Sequence, residues 1–376
     1  MSALAPTYAR YDVTFESGSG CVLVDSEGIE YLDFLSGIAV NNLGHCHPAV
    51  VAAVQDQVGR LMHVSNLFYT EANVELAARL VSRSLGGSVF FCNSGAEANE
   101  AVIKLVRKAR PRGDVIVALD AFHGRTYGAL SATPQEAKQA PFAPLVPGFV
   151  ALPAAEIAAA VGPQTAAVLI EPIQGESGVN VMSQSLLAGI RAACDAVGAA
   201  LVFDEVQTGM GRTGSLWAYE QLGVVPDAMT LAKGLGGGLP IGALVIGPHL
   251  QGVFAPGDHG STFAGGPVVS RAALATLDVI DDPGFLRGVR ERGERLLEGL
   301  RELPGVVSAR GRGLMVAAEI SGPAPELAKR ALLEQRLIIN ATGATTLRVL
   351  PPLIVSEAEI DEALSRLRAL LGSALA

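Results

Sequence analysis

TLAKGLGGGLP, residues 230–240, sets Lys233 at the end of an apolar run and directly ahead of Gly234, Gly236, Gly237 and Gly238. A nucleotide P-loop has its glycines before the lysine and Ser or Thr after it. Here the order is reversed, and neither Gly234 nor Leu235 after the lysine offers the magnesium-binding hydroxyl that would be sought there. A dinucleotide fingerprint also fails, because a strand pattern, IGALVIG (241–247), follows the glycines where that fingerprint needs a long helix. Two readings stay open at this point: a surface lysine in a flexible turn, or a lysine emerging at the crowded end of a strand. Desolvation at a strand end lowers an amine pKa and favours a nucleophile that can form a Schiff base.

Outward from this loop, short apolar runs alternate with helical patterns. The runs are SVFFC (88–92), DVIVALD (114–120), TAAVLIEP (165–172), AALVFDE (199–205) and DAMTLAK (227–233). The helical stretches include PAVVAAVQDQVGRL (48–61), EANVELAARLVSR (71–83), ANEAVIKLVRKAR (98–110) and QSLLAGIRAACDAV (184–197). This alternation predicts an α/β fold, a mostly parallel sheet covered on both faces. Near residue 265 the texture changes. Helices are expected near 267–281 and 285–302, then strands in LMVAAEI (314–320) and TLRVLPPLIV (346–355), then a last helix near 357–371. This is a smaller α+β unit. GCVLVDSEGIEYLDF (20–34) reads as a hairpin around a Ser-Glu-Gly turn and is expected to join that unit. The expected divisions are residues 1–47, packing with the small domain, 48–264 as the large domain, and 265–376 as the small domain.

Composition bounds the function. The chain has 376 residues, 49% hydrophobic and 17% charged, which fills a sizeable core and argues against disorder. Its net charge of −9 disfavours a general nucleic-acid or anionic-membrane surface. MSALAPTYARYD lacks the apolar core of a signal peptide, and no apolar run is long and clean enough for a membrane span. Cys21, Cys46, Cys92 and Cys194 are sparse and unpatterned, as expected of reduced thiols in a cytoplasmic protein. His45-Cys46-His47 is not expected to hold a metal, because adjacent residues rarely converge on one ion.

In open α/β sheets, ligands collect at the carboxyl ends of the strands. Five of the predicted strands end in polar residues: Asn93-Ser94-Gly95-Ala96-Glu97, Phe122-His123-Gly124-Arg125, Gln174-Gly175-Glu176, Asp204 and Lys233. Ser94 and Glu97 have capping-box spacing. Gly95 would let the backbone approach a ligand, and the free amides at the helix start favour a phosphate. A well-capped helix without a ligand is an equal reading of that segment. Asp204 and Glu205 follow one strand, where neighbouring side chains point to opposite faces, so one of them is expected to enter a site. A single buried carboxylate near a Schiff-base lysine suits the ring nitrogen of a pyridine cofactor.

LVFDEVQTGMGRTG (201–214), followed by LAKGLGGGLP (231–240), resembles the class III, pyridoxal-phosphate-dependent aminotransferases. GHCHP (44–48), NSGAEANEA (93–101), FHGRT (122–126), EPIQGESGV (171–179), GSTF (260–263) and RGRGLM (310–315) occur in the family's order, from about residue 10 to the end. The resemblance implies fold type I of these transferases, and within the class it is strongest to enzymes acting on acetylornithine. It also implies roles. Lys233 would hold pyridoxal 5′-phosphate as a Schiff base and move the proton. Asp204 would bind the ring nitrogen, with Glu205 beside it in the cofactor set. Phe122 and Val206 would sandwich the ring, and Gln207 would reach its hydroxyl. The amides of Gly95 and Ala96 would hold the phosphate, completed by Thr262 of a second subunit in a homodimer, with Ser261 near the substrate. Arg125 would take the far carboxylate of each substrate, Arg348 the near carboxylate of glutamate, and Glu176 would neutralise Arg348 when the other donor is bound.

Ile38 stands where relatives acting on free ornithine tend to carry Tyr, which favours an acylated donor such as N-acetylornithine, with 2-oxoglutarate as acceptor. The alternatives are another ω-amino donor (ornithine, succinylornithine, γ-aminobutyrate or carrier-protein-linked lysine) and a non-catalytic relative. The chain departs from the family at Ala264-Gly265-Gly266, where Gly-Gly-Asn is frequent.

Overall fold

The computed structural model describes residues 3–373. Its centre is a seven-stranded sheet: β1 (Ser88–Cys92), β2 (Asp114–Ala118), β3 (Phe149–Leu152), β4 (Thr165–Ile170), β5 (Ala200–Asp204), β6 (Ala228–Leu231) and β7 (Gly242–Ile246). The spatial order is β1-β7-β6-β5-β4-β2-β3. The pairs from β6 through to β3 are all parallel. β7 alone runs against both of its neighbours, β6 and β1. The loop between β6 and β7 contains only a short 3₁₀ turn, Lys233–Gly236. That is too little chain for a parallel crossover, which needs a dozen or more residues. β3 was not expected from the sequence. Its pattern FVAL is short and half exposed, as an edge strand is.

β4 and β5 are buried along their whole length, which requires apolar residues on both strand faces, and TAAVLI and ALVFD supply them. Helix Gly95–Ala109 buries Ala98, Val102, Leu105 and Val106 on one stripe and carries Arg107 and Lys108 in its last turn, where the helix dipole favours cations. Helix Gln184–Val197 stops at Gly198, whose φ of 69° is left-handed. Helix Pro267–Ile280 packs on Pro48–Val58 and Glu71–Ser82.

A second sheet joins Val306–Arg312, Met315–Ile320, Thr346–Val349 and Asn340–Ala341, all antiparallel. Helices Pro283–Arg301, Ala324–Gln335 and Glu357–Ser373 pack around it. The hairpin read at residues 20–34 forms, with Val22–Asp25 antiparallel to Glu30–Asp33. Its second strand pairs in parallel with Leu337–Ile338, so the beginning of the chain shares a sheet with its C-terminal part. Arg212, fully buried, ties these parts together. It donates to the carbonyls of Leu314 (3.1 Å) and Pro351 (2.5 Å) and to Asn42 Oδ1 (2.7 Å). Burial pulls its pKa down to about 9. The arginine of GMGRTG is therefore a structural tie.

Among the described residues, no helix is long and apolar enough to cross a membrane. The four cysteines are free, Cys46 exposed and the others buried.

Candidate active site

The C-terminal ends of β1, β2, β4, β5 and β6 meet around a cavity of about 490 Å³. Gly95, Ala96, Phe122, Arg125, Asp204, Val206, Gln207 and Lys233 all line it.

At the end of β1 the chain turns into helix Gly95–Ala109. Ser94 Oγ accepts from the amide of Glu97 (3.2 Å), and Glu97 Oε2 accepts from the amide of Asn93 (2.8 Å). The carboxylate thus reaches one residue further back than the cap itself. The amides of Gly95 and Ala96 have no partner among the described residues and open on the cavity. Gly95 is required sterically: a Cβ there would stand 2.7 Å from Val206 Cγ1. Two free amides at a positive helix end make an anion site.

At the end of β5, Asp204 is buried with its carboxylate held in place. Oδ2 accepts from Asn99 Nδ2 (2.8 Å) and pairs with His123 Nδ1 (2.7 Å), while Oδ1 accepts from the amide of Val206 (3.0 Å). Asn99 is fixed in turn by the carbonyl of His123 and the hydroxyl of Thr230. The sequence reading did not single out Asn99 or give His123 a role. Asn99 lies one helical turn beyond Gly95, and that spacing was the available signal.

Lys233 follows β6, half-buried, with φ at 43°. Its amine has no hydrogen-bond partner among the described residues. Burial lowers its pKa, and Arg348 adds to this, while Glu176, Asp204 and Glu171 oppose it. The surface-turn reading of this lysine therefore fails. Glu171, also not anticipated, lines the same cavity. Burial, and then Asp204, push its carboxyl well above the usual range, and the amide of Phe122 donates to it at 3.2 Å. Free amides at a helix start, a buttressed carboxylate and a lysine amine whose pKa burial lowers fit a phosphorylated pyridine aldehyde.

Arg348 is fully buried on strand Thr346–Val349. Its Nη1 donates to Glu176 Oε1 (2.6 Å), to the carbonyl of Gly175 (3.0 Å) and to Gln207 Oε1 (3.2 Å), and Nε donates to Asn340 Oδ1 (3.2 Å). Nη2 is buried without a partner among the described residues. For Glu176, burial alone would raise the pKa, but Arg348 and Lys233 outweigh it and hold the carboxyl below its usual range.

Other expected residues lie elsewhere. Glu205 does not line the cavity. It points to the opposite face, where it accepts from Thr208 Oγ1 (2.8 Å) and the amides of Ala218 (2.8 Å) and Tyr219 (2.9 Å). Burial raises its pKa to about 7 against those donors. Its place in the cofactor set is corrected by the two-residue period of the strand. Ile38 is outside the cavity lining and packs against an apolar cluster containing Ile173, Val179 and Leu350. Val40, not anticipated, lines the cavity instead. Thr262 is exposed and lines a separate cleft with His63 and Asn66. Ser261 Oγ accepts from Asn93 Nδ2 (2.8 Å), which links that cleft to the cavity. At the departure from the family pattern, Gly265 takes the left-handed position (φ 59°), Ala264 is buried, and Gly266 caps a helix starting at Pro267.

The family model "Aminotransferase class-III" matches residues 3–371. The chain is 48% identical over 375 residues to the acetylornithine aminotransferase of Caldanaerobacter subterraneus subsp. tengcongensis, covering 96% of this chain and 95% of that one. To the acetylornithine aminotransferase of Bacillus subtilis it is 43% identical over 375 residues, covering 98% and 97%. Among solved structures, the ornithine aminotransferase of Toxoplasma gondii ME49 superposes with a TM-score of 0.94 at 31% identity, covering 99% of this chain and 93% of that one. The N-acetylornithine aminotransferase of Stenotrophomonas maltophilia K279a gives 0.85 at 36% identity, covering 98% of each. The chain belongs to the class III aminotransferase family.

Proposed function

We propose that this enzyme transfers the terminal amino group of N2-acetylornithine to 2-oxoglutarate, giving N-acetylglutamate 5-semialdehyde and glutamate, a step of arginine biosynthesis. The observation that carries this reading is the ion pair between buried Arg348 and half-buried Glu176 beside the cavity. A site for two unlike donors needs a carboxylate receptor for glutamate that is neutralised when the other donor is bound. The relatives named acetylornithine aminotransferase support the choice of donor.

Pyridoxal 5′-phosphate, when bound, supplies an electrophilic carbonyl and an electron sink. Lys233 would be the residue that holds it covalently and would then move the proton at the donor's amine-bearing carbon. Asp204, its carboxylate fixed by Asn99 and His123, would keep the ring nitrogen protonated. The amides of Gly95 and Ala96 would hold the phosphate. Val206, Phe122 and Gln207 would hold the ring. Arg125 would receive the far carboxylate of each substrate.

The same reading makes the enzyme a homodimer in which Thr262 completes the partner's phosphate site. Exposed Leu67, Phe68, Tyr69 and Phe263 support it, because so many large apolar side chains in the segments around Thr262 want cover. An enzyme of this kind works in the cytoplasm.

A panel of amino donors with 2-oxoglutarate tests the proposal. Acetylornithine should lead ornithine, succinylornithine and γ-aminobutyrate in kcat/KM. If it ranks last, the substrate assignment is wrong.

A further inference from the structure

Phe122 forms part of the cavity wall, and two cations lie against its ring. Arg125 Cζ is 5.7 Å from the ring centroid, and Lys138 Nζ is 5.6 Å from it. Lys138 comes from the short helix Glu136–Gln139 and is half-buried, whereas Arg125 is exposed at the cavity mouth. Neither forms an ion pair among the described residues. The hydrogen bond of Lys138 goes to the neutral side chain of Gln135. Elsewhere on this chain, comparable cations have acid partners, as Arg83 has Asp281 and Arg271 has Glu75.

The neighbouring carboxylates are already engaged. Glu176 holds Arg348 at 2.6 Å. Glu100, on the adjoining helix, accepts from Thr126 Oγ1 (2.6 Å) and from the amides of Gly128 (2.8 Å) and Ala129 (3.0 Å). Burial lowers the pKa of Lys138, Arg125 pushes it the same way, and Glu176 opposes both. Two like charges held near one apolar ring without a counter-ion repel each other, and an anion between them relieves the repulsion.

We propose that Lys138 is a second cation of the substrate site, acting with Arg125 to hold the carboxylate that lies farthest from the reacting carbon. This deepens the reading of the substrates as acids with a remote carboxylate, and rests on it. The two cations are complementary. A guanidinium offers a planar fork to a carboxylate, and an ammonium offers a point charge to the lone pairs that the fork leaves free. Lys138 would thus discriminate dicarboxylates from monocarboxylates of equal length, which Arg348 alone cannot do.

The test is titration of the cofactor-loaded enzyme with glutarate and with pentanoate, followed by calorimetry. Neither probe carries an amine, so an error in the identity of the amino donor does not touch the result. Lys138→Met should weaken glutarate about tenfold and leave pentanoate within twofold of the parent. Lys138→Arg should restore most of the glutarate affinity. In turnover, the loss should fall on KM for 2-oxoglutarate rather than on kcat. Lys138→Gln serves in the same titrations if the methionine variant does not fold. Unchanged glutarate binding would overturn the proposal. Equal loss of both probes would also overturn it, because Lys138 would then only support the Phe122 ring.

Discussion

Arg348 Nη1 lies 2.6 Å from Glu176 Oε1, and the arginine side chain is fully buried. In the proposed function this pair is a charge receptor held closed by an internal carboxylate. Glu176 retains some exposure, its side chain being 26% accessible, so it has room to leave. Arg348 has none, and its Nη2, without a partner among the described residues, could donate to an incoming carboxylate oxygen under the proposed function.

Glu176→Gln should destabilise the protein by about 1–3 kcal/mol, since it removes the counter-charge of a buried arginine. The pH dependence fixes the sign. The folded-state pKa of Glu176 lies below its ordinary value of 4.5, so its stabilising contribution is full above that pH and is lost as pH falls through the depressed value. Urea midpoints of parent and variant should therefore differ at pH 7 and converge below about pH 4.5. A gap independent of pH would mean that the carboxylate charge contributes nothing.

Arg348→Lys should raise KM for glutamate about 100-fold and slow the acetylornithine half-reaction far less. An ammonium cannot reproduce the planar guanidinium, whose Nη1 reaches Glu176, Gly175 and Gln207 while its Nε reaches Asn340. Single-turnover spectra of the two half-reactions, followed separately, read the difference. Equal losses in both would assign Arg348 a general structural role.

Asp204→Asn should lower kcat by about 10²–10³ with the cofactor still bound, because a neutral amide cannot stabilise positive charge on a ring nitrogen. His123→Gln should have a smaller effect, about tenfold, since it loosens the 2.7 Å support of that carboxylate but leaves the charge. Steady-state rates beside cofactor absorbance settle both. A rate loss in His123→Gln as large as in Asp204→Asn would make the histidine a participant rather than a support.

Lys233→Ala should abolish covalent retention of the cofactor after borohydride reduction and lower turnover by at least about 10³. Mass spectrometry of the reduced protein gives the first result directly, as the presence or absence of the adduct on the peptide containing residue 233. Turnover retained in the alanine variant would remove Lys233 from the chemistry.

Gly95→Ala is the sharpest steric test. Its Cβ would stand 2.7 Å from Val206 Cγ1, and the Val206 amide donates to Asp204 Oδ1. Overpacking of this kind costs about 1–3 kcal/mol and would tilt the helix start that presents the anion-binding amides. Cofactor affinity should fall more than global stability, as seen by comparing cofactor titration with thermal melting of the apoprotein.

Much of the site was legible in the residue order because the signals are local. The two-residue period of β5 separates Asp204 from Glu205, and the structure sends them to opposite faces. Ser94 and Glu97 announce a helix start, although the carboxylate closes on Asn93 rather than on the cap. The glycine order after Lys233 excludes a nucleotide loop, and the apolar run before it places the amine at a strand end. Each of these depends on neighbours within a turn of helix or a few residues of strand.

Tertiary structure alone decided the rest. Nothing in IGALVIG states that β7 runs antiparallel between β1 and β6; the short loop and the sheet's open positions settle it together. His123 and Asn99 meet Asp204 across long stretches of chain. Arg348 meets Glu176 the same way, and a lone arginine in a strand does not reveal its burial. Lys138 looks like any exposed helical lysine until folding sets it against Phe122. The physical reason is common to all four. Periodicity, caps and turns are properties of adjacent residues, whereas desolvation and charge pairing belong to whichever distant segments the sheet brings to its carboxyl edge.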